Sequence, residues 1–271
     1  MKNIAFDTLN ALDLFGINNQ DENTDDETEE LNKDTVILHI PHSSKHIPSL
    51  AGYVLPEDKL KSEIDLLTDH FTDEIFNFKN VSRLVTPFNR IFCDVERLPD
   101  EQEKMFKHGR GFYYTKTDSG ENLRIIDEEN KSFIFKEYYL KHHENLNLLV
   151  QDKLNKFGQV TIIDCHSFLP IPFQSDLNQD PDRPNICLGI DDFHTPIFLI
   201  KKIKSGFEKE GLTVKINNPY SGTIIPMKYY NKNNNVRGIM IEINRSLYMH
   251  MGIVINHNVQ LLNKIIENIL F

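Results

Sequence analysis

A three-layer α/β/α domain built on a central, mixed but mostly parallel sheet is the fold class that this 271-residue sequence predicts. Two observations point to it. From Thr35 onward, short apolar runs rich in β-branched residues alternate with longer segments of helical period. Two of those runs, Val160-Thr-Ile-Ile163 and Gly238-Ile-Met-Ile241, are almost continuously apolar, as strands covered on both faces must be.

Taken in order, the strand runs fall at 35–41, 81–86, 91–95, 160–165, 185–190, 213–217 and 238–243. Between them, Leu60, Ile64, Leu67, Phe71, Ile75 and Phe78 recur at three- and four-residue steps and predict one helical face. Pro56-Glu57-Asp58 suits its start, because proline fits the first helical turn and acids favour the N-terminal end of the dipole. A second stripe, Phe135, Tyr138, Tyr139, His142, Leu146, Leu149 and Leu154, lies within Ser132 to Phe157, with Gly158 placed to end the helix. Ile255, Val259, Leu262, Ile266 and Ile269 mark a closing amphipathic helix, and Asn231 to Val236 reads as a polar loop.

The first 34 residues stand apart. They carry ten acidic side chains against two lysines, concentrated between Asp21 and Glu30, and their apolar cluster from Ile4 to Ile17 is short. This composition predicts an acidic appendage, a small helix and a mobile tether, ahead of a single domain over 35–271. The appendage holds most of the formal charge of −10. A surface without a basic excess excludes nucleic-acid binding as an expectation, since phosphate neutralisation needs cations. No apolar run approaches the ~20 residues that span a bilayer, and no secretory signal is visible at the N-terminus. Cys93, Cys165 and Cys187 sit in apolar contexts without CxxC spacing, which suits buried free thiols. The expectation is a cytoplasmic protein.

In open α/β sheets the ligand crevice forms beyond the carboxyl ends of the strands, so polar residues just past apolar runs are the ones to collect. His42 follows the first run, Asp164-Cys-His166-Ser167 ends the fourth, and Glu242 with Asn244-Arg245 ends the last. Asn89-Arg90 and Asp94-Val-Glu-Arg97 bracket Ile91-Phe-Cys93. Two histidines and a carboxylate from separate strand ends can converge on one cation with a position left open for water. A histidine taken singly is more often a hydrogen-bonded structural residue. Acids interrupt the helical stripe at Asp65, Asp69 and Asp73; a solvated face explains Asp65 and Asp73, while Asp69 fits that reading and a ligand role equally. Glu242 differs, because it lies between Ile241 and Ile243, where a carboxylate is desolvated and its pKa rises toward that of a general base.

These residues belong to an ordered set of short motifs: Ile40-Pro-His-Ser-Ser44, Leu67-Thr-Asp69 with Thr72-Asp73, Asn89 to Arg97, Gly109 to Thr115, Asp164-Cys-His-Ser167, Asn185 to Gly189, Asn218 to Gly222, and Ile241-Glu-Ile-Asn-Arg245 with Tyr248-Met249. In that order they resemble the N-formylglutamate amidohydrolase (N-formylglutamate deformylase) family, a phosphorylase/hydrolase-like fold similar to the zinc carboxypeptidases. The resemblance implies one Zn2+ held by His42, a carboxylate placed at Asp69, and His166, with Glu242 moving the water's proton. It implies Arg90, Arg97 or Arg245 as partners of a substrate carboxylate, because guanidinium offers a bidentate fork; an ion pair with Asp94 or Glu96 explains Arg97 equally well. His143 is the residue of the long helix expected to face the cleft. The implied reaction hydrolyses a small N-acyl amino acid, with N-formyl-L-glutamate the family's substrate. Glu96 stands where family members often carry asparagine, and the proline expected between Tyr139 and His143 is missing. Other readings are a deacylase or carboxypeptidase of the same fold acting on another amide, or a ligand-binding relative without turnover.

Overall fold

In the computed structural model, residues 30–271 are described. The small helix and tether expected before them lie outside the described residues. At the domain's edge, Leu31 is buried in the core and Asn32 caps a short 3-10 turn over Lys33–Thr35.

Six strands form the main sheet: β1 (Val36–Ile40), β2 (Ser82–Val85), β3 (Val160–Phe168), β4 (Ile186–Gly189), β5 (Val214–Ile216) and β6 (Val236–Asn244), in the order β2-β1-β3-β6-β4-β5. Every pairing is parallel except β4 against β6. The expected mixed, mostly parallel sheet is therefore present. The two apolar runs are its centre: β3 and β6 are nine residues each, pair along their full length, and are buried at all but one position.

Helices cover both faces. On one side α2 (Thr72–Ile75), α5 (Ile197–Lys209) and α6 (Asn256–Leu270) pack Ile75, Leu199, Ile203, Phe207, Leu262 and Ile266 against Leu38, Ile163 and Ile241. On the other, Leu146 and Val150 of α4 (Leu140–Phe157) cover Ile37 and Ile162. The alternation of side chains along a strand sends odd and even residues to opposite layers. Leu38 and Ile40 thus face one layer, and Ile37 and His39 the other.

Two elements differ from the sequence expectation, and both differences shape the site. The stripe from Leu60 to Phe78 is not one helix: α1 (Glu57–Leu67) stops at Thr68, and α2 restarts after Phe71, whose φ is 62°. Thr68 turns its hydroxyl back on Ile64 O at 2.6 Å, and the freed Asp69 N–H donates to His42 O at 2.9 Å. The periodicity is real, but a tertiary hydrogen bond outbids the next helical turn. Residues 91–95, apolar apart from Asp94, are buried without being a strand. Asn89 folds them into a turn, its side-chain oxygen accepting from Ile91 N at 3.0 Å, an Asx-turn geometry that competes with a sheet ladder.

The long helical segment begins as α3 (Glu128–Ile134), capped by Asp127, passes through a π-helical turn over Phe135–Tyr139, and continues as α4 to Gly158 in the left-handed conformation. A π-turn shifts the side chains that follow it around the helix axis. It brings Tyr139 over the segment 94–97, where its hydroxyl donates to Arg97 O at 3.0 Å.

Candidate functional site

The carboxyl ends of β1, β3 and β6 are neighbours in the sheet, so the polar residues that follow or end them are forced together. In register, His166 of β3 lies opposite Glu242 of β6. His42 enters just past β1, and the broken helix delivers Asp69. His42, Asp69 and His166 are all buried and each offers a ligand atom within 4.8 Å of the others. Asp69 Oδ2 is 3.1 Å from His166 Nδ1 and 3.7 Å from His42 Nδ1.

Each member is held from behind. His42 Nε2 is 2.9 Å from Asp94 Oδ1, while its Nδ1 is buried with no hydrogen-bond partner. Asp94 Oδ2 in turn accepts from the Tyr114 hydroxyl at 2.7 Å and from Arg90 Nε and Nη2 at 3.2 and 3.1 Å. His166 Nε2 faces Asp164 Oδ1 at 3.1 Å and the two Glu96 oxygens at 3.3 and 3.2 Å. Arg245 Nη2 donates to Asp69 Oδ1 at 3.0 Å, which leaves Oδ2 turned toward the histidines.

The electrostatics ask for positive charge at this point. Burial raises the Asp69 and Asp94 carboxyls, but the hydrogen bond from His166 and the charge of His42 hold Asp69, and the charges of Arg90 and His42 hold Asp94, well below the usual carboxylate range. Burial lowers the His166 imidazole, yet Glu96 and Asp164 beside it push it well above its usual value. Glu242 goes the other way: desolvation lifts it to about 8, and its Oε2 is buried without a partner. Two histidines and a carboxylate with aligned inner atoms, an orphaned imidazole nitrogen and an orphaned glutamate oxygen fit a divalent cation with a water beside it.

These groups open into a cavity of about 580 Å³ lined by Asp69, Arg90, Glu96, Arg97, His166 and Glu242 at one end and Arg110, Phe173 and Tyr220 farther out. Gly222 is one of its lining residues, and a Cβ on Gly189 would collide with Gly222 O, so the strand can pass this close to 218–222 only without a side chain.

The four residues expected to bind substrate separate here. Arg97 lines the cavity, 29% exposed, with Nε 3.6 Å from Asp94, Nη1 3.7 Å from Glu103, and no hydrogen bond at Nε. Arg90 also lines it but spends Nε and Nη2 on Asp94. Arg245 does not reach the cavity: its donors go to Asp69, Ser167 and Leu66, so it positions a carboxylate of the protein instead of one on a ligand. His143 packs against Tyr139 and His142, beside Val95, and is not itself among the lining residues. Missed from sequence were Tyr114, inside a quoted motif with no role given, and Asp94 as the partner of His42. A buried tyrosine needs a hydroxyl partner, but nothing in the spacing names which.

A broad cavity over a buried histidine-carboxylate cluster, at the carboxyl ends of a mostly parallel sheet, defines a hydrolase-like α/β protein. Residues 34–249 match the sequence profile of the N-formylglutamate amidohydrolase family, and the chain belongs to that family. The N-formylglutamate amidohydrolase of Ralstonia eutropha JMP134 is similar in structure, with a TM-score of 0.75 and 20% identity over 87% of this chain and 91% of that one. A gene product of Agrobacterium tumefaciens aligns with a TM-score of 0.61 and 18% identity over 88% of this chain and 93% of its own. At these identities both likenesses concern the fold. No curated protein matches the sequence.

Proposed function

We propose that the protein is a zinc-dependent amidohydrolase that cleaves a small N-acyl amino acid, with N-formyl-L-glutamate, giving formate and glutamate, as the first candidate. The observation that carries this reading is the convergence of His42, Asp69 and His166 beside the unpaired oxygen of Glu242. A bound Zn2+ would lower the pKa of its water and polarise the scissile carbonyl.

The chain's own residues divide the remaining work. His42 Nδ1, Asp69 Oδ2 and His166 Nδ1 are the atoms that would hold the ion. Asp94 and Asp164 accept from the outer nitrogens of the two histidines and fix the ring orientations. Glu242, opposite His166 in the sheet, takes a proton from the attacking water and returns it to the leaving amine. A cation bound beside it would bring its raised pKa down far enough for it to accept. Arg97, 29% exposed and lining the cavity with its Nε turned inward 3.6 Å from Asp94, is the best-placed fork for a substrate carboxylate, and Arg90 supports it. Cys93, Cys165 and Cys187 are free and buried, which supports a reducing, cytoplasmic setting.

The test is zinc stoichiometry together with formate release from a panel of N-formyl amino acids. One zinc per chain, absent from the His42→Ala/His166→Ala double variant, with turnover best on acidic substrates, is the expected result. Stoichiometric zinc in the double variant would remove the assigned site. Release of another acyl group in preference to formate would move the protein to the deacylase reading.

A further inference from the structure

Behind the metal-facing histidines lies a second pair that the reaction as described does not use. His39, in β1, is fully buried and sits opposite Asp164 in the sheet register. Its Nδ1 is 2.8 Å from Asp164 Oδ1, and its Nε2 is 2.9 Å from Nε2 of His142 on α4. His142 Nδ1 lies 3.4 Å from the Thr86 hydroxyl. Asp164 is clamped between these groups: Oδ2 accepts from Ile224 N at 3.1 Å, and Oδ1 is shared by His39 Nδ1 and His166 Nε2.

We propose that His142 and His39 are positioning residues that act through Asp164 to hold His166 as the Nε2–H tautomer, leaving its Nδ1 bare for the cation. This inference rests on the metal reading above. The argument is one of donors and acceptors. A carboxylate oxygen only accepts, so both imidazoles facing Asp164 Oδ1 must donate to it. His39 then carries its proton on Nδ1 and presents a bare Nε2, which at 2.9 Å requires an N–H from His142 Nε2. His142 Nδ1 is in turn the acceptor for the Thr86 O–H. Its immersion in the protein, with His39 and His143 alongside, drives the His142 imidazole down to about 2, so it has one ring proton to give and gives it toward His39. The proton direction is thus set along the whole line from Thr86 to His166. Without His142, His39 Nε2 loses its donor, and only the carboxylates beside Nδ1, Asp164 at 2.8 Å and Glu96 at 3.6 Å, still oppose the other His39 tautomer.

The bland alternative is that His39 and His142 are packed core histidines with satisfied hydrogen bonds and no influence on the ion. A different chemistry for the same cluster is a second cation, since His39, Glu96 and Asp164 also offer ligand atoms within 4.8 Å of one another. That arrangement needs His39 Nδ1 unprotonated, the opposite of the relay.

Ring-nitrogen NMR and zinc competition titrations separate these outcomes. In the wild-type protein the relay requires His39 as the Nδ1–H tautomer and His142 as Nε2–H, and, in the zinc-loaded form, His166 with a metal-bound Nδ1 and a protonated Nε2. His142→Leu should weaken zinc binding on the order of tenfold, the lower end of the range for partners outside the ligand set. His142→Gln, whose amide N–H can reach His39 Nε2, should recover most of that loss. An Nε2–H tautomer at His39, or a folded His142→Leu protein with the wild-type zinc constant, overturns the proposal; so does a second zinc equivalent that His39→Gln abolishes. The tautomers are read on the wild-type chain, so a His142→Leu variant that does not fold leaves the test standing. A wild-type protein that binds no zinc would strike the metal reading itself, whereas normal binding with an indifferent His142→Leu variant strikes only the relay.

Discussion

Replacing Glu242 by glutamine tests the most unusual electrostatic feature of the site by exchanging a single carboxyl oxygen for an amide NH2. Desolvation raises this carboxyl from 4.5 to about 8 in the metal-free fold, while in the unfolded chain it titrates at its ordinary value. The sign follows from proton counting. Below pH 4.5 both states carry the proton and Glu242 contributes no pH dependence. As pH rises from 4.5 to about 8, the unfolded state releases the proton, the native state keeps it, and folding stability falls. At 1.36 kcal/mol per pH unit, the loss accumulated across that window is at most about 5 kcal/mol. Glutamine resembles the protonated acid in shape and cannot ionise, so Glu242→Gln should match wild type near pH 4.5 and surpass it progressively toward pH 8–9. Urea denaturation in chelator at a series of pH values reads the difference directly. Parallel pH profiles for the two proteins would refute the burial argument. With zinc restored, the same variant should keep its metal and its fold while turnover falls on the order of 10²–10⁴-fold, the usual cost of a lost acid–base group. Wild-type turnover in a zinc-replete variant would move the search for the base to Asp164.

Arg97→Lys keeps the charge and removes the fork, and should raise KM for N-formyl-glutamate on the order of 10- to 100-fold with little change in kcat, as loss of a charged hydrogen bond implies; an unchanged KM would leave Arg90 as the anchor. Asp94→Asn removes the carboxylate behind His42 and should weaken zinc binding on the order of 10–100-fold by competition titration, with equal affinity refuting its role in orienting the ring. Gly189→Ala drives a methyl into Gly222 O and should cost roughly 1–3 kcal/mol in chemical denaturation and disturb the outer cavity wall; a neutral effect would mean that the 218–222 segment yields freely. Removal of residues 1–30 should leave zinc content and turnover intact, whereas extending the deletion through Leu31 should lower the melting temperature, because that side chain belongs to the core.

Much of this site is legible because strands confine chemistry to their ends. Once Val160 to Ile163 and Gly238 to Ile241 are read as buried strands, His166 and Glu242 must emerge at the same edge, and parallel pairing sets them opposite each other. Glu242 between two isoleucines is conspicuous for the same reason: a charge in an apolar run has no solvated alternative. The helical stripe around Asp69 was harder, because period alone describes a face and not where a helix stops. The stop depends on His42 O, a residue 27 positions earlier in the chain, accepting the Asp69 N–H.

The sequence by itself determined the layered class, the strand positions at the centre of the sheet, and the three candidate site residues that end or follow them, since each depends on burial pattern over a few neighbouring residues. Only the tertiary structure decided which arginine is spent inside the protein and which faces the cavity. Arg245 and Arg97 follow or accompany acidic motifs alike in sequence, yet one is consumed by Asp69, Ser167 and Leu66 while the other lines the cavity with no hydrogen bond at Nε. The same holds for His39 and His142, an apparent strand residue and a member of an apolar stripe, which become adjacent only when β1 and α4 pack together. A guanidinium or an imidazole takes its role from the few groups within hydrogen-bonding distance, and for Arg245, His39 and His142 those partners come from segments tens to more than a hundred residues away that only folding brings together.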